Sequence, residues 1–247
     1  MAVIGAILVA ALTAVLTGLL NKVLDSGVSH VRGDDSAAPF AWTVRVNRDM
    51  CAGATHFRAL ASLPPRPADG PFGLTGVDSG TDAAFSDVAI TFQGKTDAAT
   101  VLQALHIDVV SRARPAGALV EMVAGCGGML PRYFAVDLDR PQPRAVPSPG
   151  RQMPGAGPTV IPAVPFPYRI SSTDPEVFHV IAAARSCDCR WRVRVDWTSG
   201  DRSGTVTIDD HGRPFRTVGT ENVPVYTADG GRWERGSGPT PSEIPVR

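Results

Sequence analysis

Residues 190–197 read RWRVRVDW, and apolar and charged side chains alternate through the whole stretch. The apolar positions are Trp191, Val193, Val195 and Trp197. The charged positions are Arg190, Arg192, Arg194 and Asp196. Because successive side chains of a strand point to opposite faces, a period of two predicts a half-buried β-strand. One face of this strand belongs to a core, and the other carries three arginines into water.

Further strand signals occur on both sides of this stretch. They predict strands at 40–47, 88–94, 101–109, 118–123, 133–139, 177–183, 205–208, 214–218, 223–226 and 231–233. Residues 177–183 are apolar on both faces, as expected of a central strand. The turn residues at 209–212 predict that 205–208 and 214–218 pair with each other as a hairpin. Many short strands, with no clear amphipathic helix among them, favour a mainly β fold. We predict an antiparallel β-sandwich-like domain rather than a parallel α/β sheet.

Residues 140–167 interrupt the strand pattern with nine prolines. Proline has no N–H to donate to a strand ladder, so we expect this segment to be an extended or mobile connection.

Residues 2–20, AVIGAILVAALTAVLTGLL, contain no charged side chain. As a helix they are about 28 Å long, close to the hydrocarbon thickness of a bilayer. We predict a transmembrane signal-anchor over 1–25, a polar tether over 26–39, a β domain over 40–235 and a disordered tail over 236–247. A cleaved signal peptide and a buried core helix are the alternatives, but the start is not basic and no small-residue cleavage site follows Leu20.

The side of the membrane on which the domain lies is less directly encoded. Lys22 and Arg32 follow the apolar run and no basic residue precedes it, so the flanking charges favour a cytoplasmic domain. The cysteine content favours the opposite side, since disulfides persist in exported proteins. We expect a single-pass cell-membrane protein with an extracytoplasmic domain.

The chain has four cysteines, Cys51, Cys126, Cys187 and Cys189, and all four are disulfide candidates. Four cysteines allow three pairings. We favour a bond between Cys126 and either Cys187 or Cys189. A direct Cys187–Cys189 bond would be strained within a strand, although a strand end would permit it. Spacings typical of zinc ligands are absent, so we predict no metal and no cofactor.

The charge balance argues against nucleic acid as a partner, because the chain has 24 basic and 24 acidic side chains.

No hydrolase, metalloprotease, Walker or dinucleotide motif occurs, so no catalytic residue is predicted and an enzyme is not expected. A deep polar pocket that joined a histidine to carboxylates would favour an enzyme; the histidines considered are His106, His179 and His211. Asp137 and Asp139 are predicted to share the solvent face of one strand.

Arg190, Arg192 and Arg194 are the candidate binding residues. A solvated sheet surface is one interpretation of this basic strip. An anionic partner, such as lipid head groups or a cell-wall polymer, is the other.

Three segments resemble a family of uncharacterised actinobacterial membrane proteins: GCGGMLPRYFAVDLD (125–139), FPYRISSTDPEVF (166–178) and CDCRWRVRVDWTSGDRSGTVTIDDHGRPFR (187–216). The resemblance covers most of residues 86–235. It implies one membrane helix followed by an extracytoplasmic β domain, and it implies no particular activity.

These observations lead to a membrane-anchored binding or interaction module of the cell envelope. Its expected partners are membrane lipid, through residues 2–20, and an envelope protein or cell-wall polymer. A sensor or regulatory subunit that signals through the helix to a membrane partner is the alternative, and an envelope enzyme is the third hypothesis.

Overall fold

The computed structural model describes residues 31–33, 38–47, 54–63, 80–121, 129–152, 159–229 and 232–236. Within these ranges no helix is long and apolar enough to cross a membrane. The predicted anchor at 2–20, most of the tether and almost all of the tail lie outside the described residues.

The described residues form β-strands and one short 3-10 turn, Leu60–Ser62. The strands are β1 Val31–Gly33, β2 Phe40–Asn47, β3 Ala54–Phe57, β4 Thr81–Ala83, β5 Phe85–Gly94, β6 Thr100–Ala113, β7 Ala118–Glu121, β8 Met129–Leu130, β9 Tyr133–Asp137, β10 Val146–Ser148, β11 Gly150–Gln152, β12 Thr159–Ile161, β13 Tyr168–Ile170, β14 Glu176–Ala183, β15 Asp188–Ser199, β16 Arg202–Ile208, β17 Phe215–Val218, β18 Val225–Asp229 and β19 Arg232–Arg235.

The strands build two large sheets and one small one. The first sheet has the order β1-β2-β5-β14-β9-β10. The second has the order β13-β6-β15-β17-β4-β3-β7-β18-β19, and β16 also pairs with β15. The small sheet has the order β12-β11-β8. β15 is central to the second sheet because β6 runs along one edge of it, while β16 and β17 share the other edge.

The two large sheets contribute to one hydrophobic core. Trp191, Val193 and Val195 on β15 are fully buried, as the alternation predicts, and they join the same apolar cluster as Phe40 and Phe92 of the first sheet. Contacts between aromatic rings connect the sheets directly, since the rings of Phe40 and Trp197 lie 6.2 Å apart.

Phe178 on β14 lies at the centre of a dense aromatic group. Its ring centroid is 4.6 Å from that of Tyr168, 5.1 Å from Phe92, 5.4 Å from Phe134 and 5.5 Å from Phe166. These rings come from β5, β9, β13 and the end of the Pro-rich segment, so one side chain joins four parts of the chain.

The prediction of a mainly β domain is confirmed. Three strand pairs are parallel, however: β14 with β9, β17 with β4, and β18 with β7. The predicted hairpin between 205–208 and 214–218 is wrong. β16 pairs with the later half of β15 and β17 with its first residues, so the two strands follow one another along the same edge.

The Pro-rich segment also differs from expectation, because it contributes strands. Pro147 lies inside β10 and is paired with Phe134 of β9, at the outer edge of the first sheet. An edge strand has one side without a partner strand, and proline is tolerated there.

Candidate functional site

The three arginines of β15 do share the outward face of the second sheet, but two of them are engaged in ion pairs. Arg194 donates from Nε to Asp108 on β6 at 2.9 Å. The Nε atom of Arg192 lies 3.1 Å from an oxygen of Asp209, which follows β16. Arg190 is exposed and is paired in the ladder with Ser111 on one side and Arg216 on the other.

Arg216 on β17 extends this pattern to the beginning of β15. Its guanidinium donates two hydrogen bonds to the Asp188 carboxylate, from Nε at 2.8 Å and from Nη2 at 2.6 Å. The hydrogen bonds from Arg216 hold the pKa of the Asp188 carboxyl below its usual value, and the same pair raises the pKa of Arg216. Both groups therefore stay charged at neutral pH.

Asp196 on β15 collects two further partners on this face. His106 of β6 contacts it at 2.7 Å through Nε2, and Thr205 of β16 donates a hydrogen bond of 2.8 Å. Burial acts to raise the pKa of Asp196, but the hydrogen bonds from Thr205 and His106 outweigh it and the pKa is lowered.

The outward surface of β6, β15, β16 and β17 thus carries an ordered set of charges, which we term the charged face. Its arginines are Arg190, Arg192, Arg194 and Arg216, and its aspartates are Asp108, Asp188, Asp196 and Asp209. Three of these arginines are in ion pairs with aspartates, and the set holds as many aspartates as arginines, so the strip predicted to be basic has no excess of arginine. Its members stay partly open to solvent, with side-chain exposures of 40% for Arg194 and 46% for Asp108.

A second polar group lies on the face of the first sheet that points away from the shared core. Its central residue, Asp87 of β5, is buried, and it accepts a hydrogen bond of 2.6 Å from Asn47 of β2. The Nδ1 atom of His179 on β14 approaches the other oxygen of Asp87 at 3.1 Å. The structure therefore pairs His106 and His179 each with an aspartate, but on different sheets. His211 contacts its neighbour Asp210 in the turn after β16 at 2.9 Å.

In the described part of the structure, two cavities have linings that do not join a histidine to a carboxylate. The larger, about 130 Å³, is lined by Asp82, Asp210 and Arg216 among others, without a histidine. The smaller, about 10 Å³, is lined by His179, Tyr133 and Ser148 among others, without a carboxylate.

The cysteine pairing differs from the one we favoured. Cys187 and Cys189 are bonded to each other, with their Cα atoms 5.2 Å apart, so neither is free to pair with Cys126. The bond lies where the chain enters β15, which is the strand end that the sequence left as a possibility. Cys51 and Cys126 lie outside the described residues. Among the described residues no group of His, Cys, Asp or Glu side chains is arranged to hold a metal ion.

Asp139 has a structural role that the sequence did not reveal. It lies beyond the end of β9 rather than on its face, and it accepts hydrogen bonds from the backbone N–H groups of Arg185 (2.7 Å) and Ser186 (3.0 Å). Asp137 accepts the N–H of Asp139 at 3.1 Å and pairs with Arg140. The two aspartates therefore shape the turns at this end of the first sheet rather than form one exposed pair.

The partners of the arginines were also missed from the sequence. Asp108 is 86 residues from Arg194 in the chain, and only the register between β6 and β15 brings them together. A signal existed in hindsight, since His106 and Asp108 occupy alternate positions in the largely apolar stretch 104–110 of β6. Searches against protein families, curated proteins and solved structures gave no match for this chain.

Proposed function

We propose that the β domain is a binding module of the cell envelope, anchored by residues 2–20, and that it contacts a protein partner through the charged face. The observation that carries this proposal is the set of three arginine–aspartate ion pairs on a partly exposed sheet surface. The uncharged run at residues 2–20, which is long enough to span a bilayer as a helix, supports the envelope setting.

The balance of charge favours a protein over a uniformly anionic polymer. A polymer such as a teichoic acid, or a lipid head-group layer, is attracted by a net positive surface, and the four arginines here are matched by four aspartates. A protein surface with its own alternating charges can match both signs at once. Such matching contributes more to the choice of partner than to raw affinity.

The partial exposure of these ion pairs is consistent with this role. Ion pairs open to water contribute only about 0–1 kcal/mol each to folding. Arg194 and Asp108 are therefore available to exchange partners when another surface approaches. Arg190, which is exposed, is the member best placed to make a new ion pair.

The proposal is tested by site-specific photo-crosslinking in intact cells that produce the full chain. A photo-reactive residue at Ser111 reports on the charged face, because Ser111 is exposed and pairs with Arg190. The same residue at Gln93 reports on the first sheet, where Gln93 is also exposed. We expect a discrete cross-linked protein from Ser111 and none from Gln93.

Charge reversal then decides whether the arginines carry the contact. Arg190→Glu combined with Arg194→Glu should abolish the cross-link from Ser111. Arg45→Glu, which reverses an exposed arginine on the outward face of β2, is the matched control and should leave the cross-link intact. A cross-link that survives the double reversal, or equal products from both probe positions, would refute the role of the charged face.

The proposed location has a separate test. Intact cells are treated with a membrane-impermeant thiol reagent, with and without prior reduction. Labelling that appears only after reduction is expected for an extracytoplasmic domain with the Cys187–Cys189 bond. Labelling that requires cell lysis would place the domain in the cytoplasm.

A further inference from the structure

β16 has one edge that is open along its whole length in the described part of the structure. Its seven residues all pair with β15, and no second described strand pairs with it. The terminal strands β1, β10, β12 and β13 have three residues each, whereas β16 runs as RSGTVTI with neither proline nor lysine. Proteins commonly protect edges by shortening them or by placing proline or lysine there, and β16 has none of these protections.

The register of the β15–β16 hairpin shows which backbone groups point to the open side. Gly200 and Asp201 form a two-residue turn, and Ser199 is paired with Arg202. The closing pair of such a hairpin exchanges two hydrogen bonds, and every second pair after it does the same. The backbone N–H and C=O groups of the even-numbered residues of β16 are therefore hydrogen-bonded to β15. Those of Ser203, Thr205 and Thr207 point away from β15, toward the open side.

These three residues are also exposed, so the edge is accessible. Each supplies one N–H and one C=O, which gives an extended partner strand three donors and three acceptors to match.

We propose that a second copy of this chain docks on β16, with the two strands antiparallel around a two-fold axis at Thr205. In this register Thr205 faces its own copy, and Ser203 faces Thr207 in both directions. These are the residues whose backbone groups point outward, so all of those groups are used and six hydrogen bonds form across the interface. A register displaced by one residue would oppose groups that are already engaged with β15.

The side chains around Thr205 are compatible with this symmetry. On the outward face hydroxyl groups oppose hydroxyl groups, and opposed Thr and Ser side chains are favourable cross-strand pairs. On the inward face Gly204 opposes Val206, so a residue without a side chain meets a branched one. No two like charges face each other between residues 202 and 208. Just outside this range Asp201 opposes Asp209 of the other copy, and Arg202, which opposes Ile208, adds one positive charge at the same strand end.

Such a dimer would join two charged faces into one continuous sheet surface. The contact itself depends on the backbone of β16 and not on Arg190 or Arg194. A test of this dimer can therefore fail or succeed independently of the crosslinking experiment at Ser111.

Cysteine substitution tests both the dimer and its register. In membranes from cells that produce the full chain, Thr205→Cys places two thiols opposite each other, within the range of Cα separations that a disulfide accepts. Ser203→Cys is the matched control, because its copy is displaced along the strand and cannot be reached. Co-production of Ser203→Cys and Thr207→Cys chains should restore the cross-link. Disulfide-linked dimers are read on non-reducing gels against the wild-type chain.

We expect about tenfold more dimer from Thr205→Cys, and from the mixed pair, than from Ser203→Cys alone. Thr205→Lys, which places two ammonium groups face to face, should shift the otherwise native chain from dimer to monomer in sedimentation, with its circular dichroism unchanged. Equal dimer from Thr205→Cys and Ser203→Cys would refute the register. A wild-type chain that sediments as a monomer would refute the dimer.

Discussion

Replacement of Phe178 by leucine tests whether the two sheets depend on one aromatic core. The phenyl ring is almost fully buried and contacts four other rings, those of Phe92, Phe134, Phe166 and Tyr168. Leucine preserves the apolar character and fills part of the volume. The change therefore removes the ring contacts and leaves a modest cavity, without burying a polar group.

The expected cost follows from two contributions. Deletion of about three carbon atoms from a core costs roughly 1–2 kcal/mol in lost burial and residual cavity. Each aromatic pair adds about 0.5–1.5 kcal/mol beyond its buried area, and four pairs that share one ring are not additive. We therefore expect Phe178→Leu to lower the free energy of unfolding by about 3 kcal/mol.

Phe215→Leu is the matched control for this experiment. Phe215 belongs to the same core, is equally buried and packs on the ring of Trp191 at 5.0 Å. We expect its replacement to cost about 1–2 kcal/mol less than that of Phe178. The assay is equilibrium unfolding in urea, followed by tryptophan fluorescence. If both variants lowered the free energy of unfolding by the same amount at an unchanged m-value, the idea that the ring network at Phe178 links the sheets would be refuted.

Three further predictions follow from other parts of the structure. Burial lowers the pKa of His56, so unfolding takes up a proton and the free energy of unfolding falls as the pH drops below about 6.5. In urea unfolding between about pH 7 and 5, the His56→Gln variant should therefore lose less stability than the wild type. The same dependence of stability on pH in both proteins would contradict this. A Cβ atom at Gly204 would lie 2.7 Å from the indole ring of Trp197, so Gly204→Ala should cost about 1–3 kcal/mol in thermal unfolding, and an unchanged melting temperature would contradict it. In mass spectrometry of the unreduced chain, the tryptic peptide that contains both Cys187 and Cys189 should be lighter by two hydrogen atoms than its reduced form, and a link from either cysteine to another peptide would show a different pairing.

Strands were predictable wherever the alternation of side chains was complete. The predicted strand at 40–47 agrees with β2 at both ends, and the alternation at 190–197 identified the centre of β15. In these segments the burial of every second residue determines the local structure, so a single sequence contains the information.

The partners of those strands were not predictable in the same way. The segments 205–208 and 214–218 are both strands, but the turn between them does not make them pair. β15 is long enough to bind both along one edge, and this depends on the register of distant strands. The Pro-rich segment was misjudged for a related reason, since an edge position accepts the proline that a central position would reject.

The candidate site shows the same division. The outward direction of Arg190, Arg192 and Arg194 followed from the period of two. The aspartates that balance them come from β6 and from the turn after β16, and only the folded sheet places Asp108 and Asp209 within reach. The net charge of a sheet surface thus depends on several strands. The sequence of β15 alone therefore overestimates the positive charge of this face.

The Cys187–Cys189 bond closes a ring around a single residue, Asp188. The contribution of a cross-link to stability grows with the length of chain it encloses, because a longer loop loses more conformational entropy in the unfolded state. A ring of this size restricts the unfolded chain very little. Its effect is local and concerns the direction in which the polypeptide enters β15.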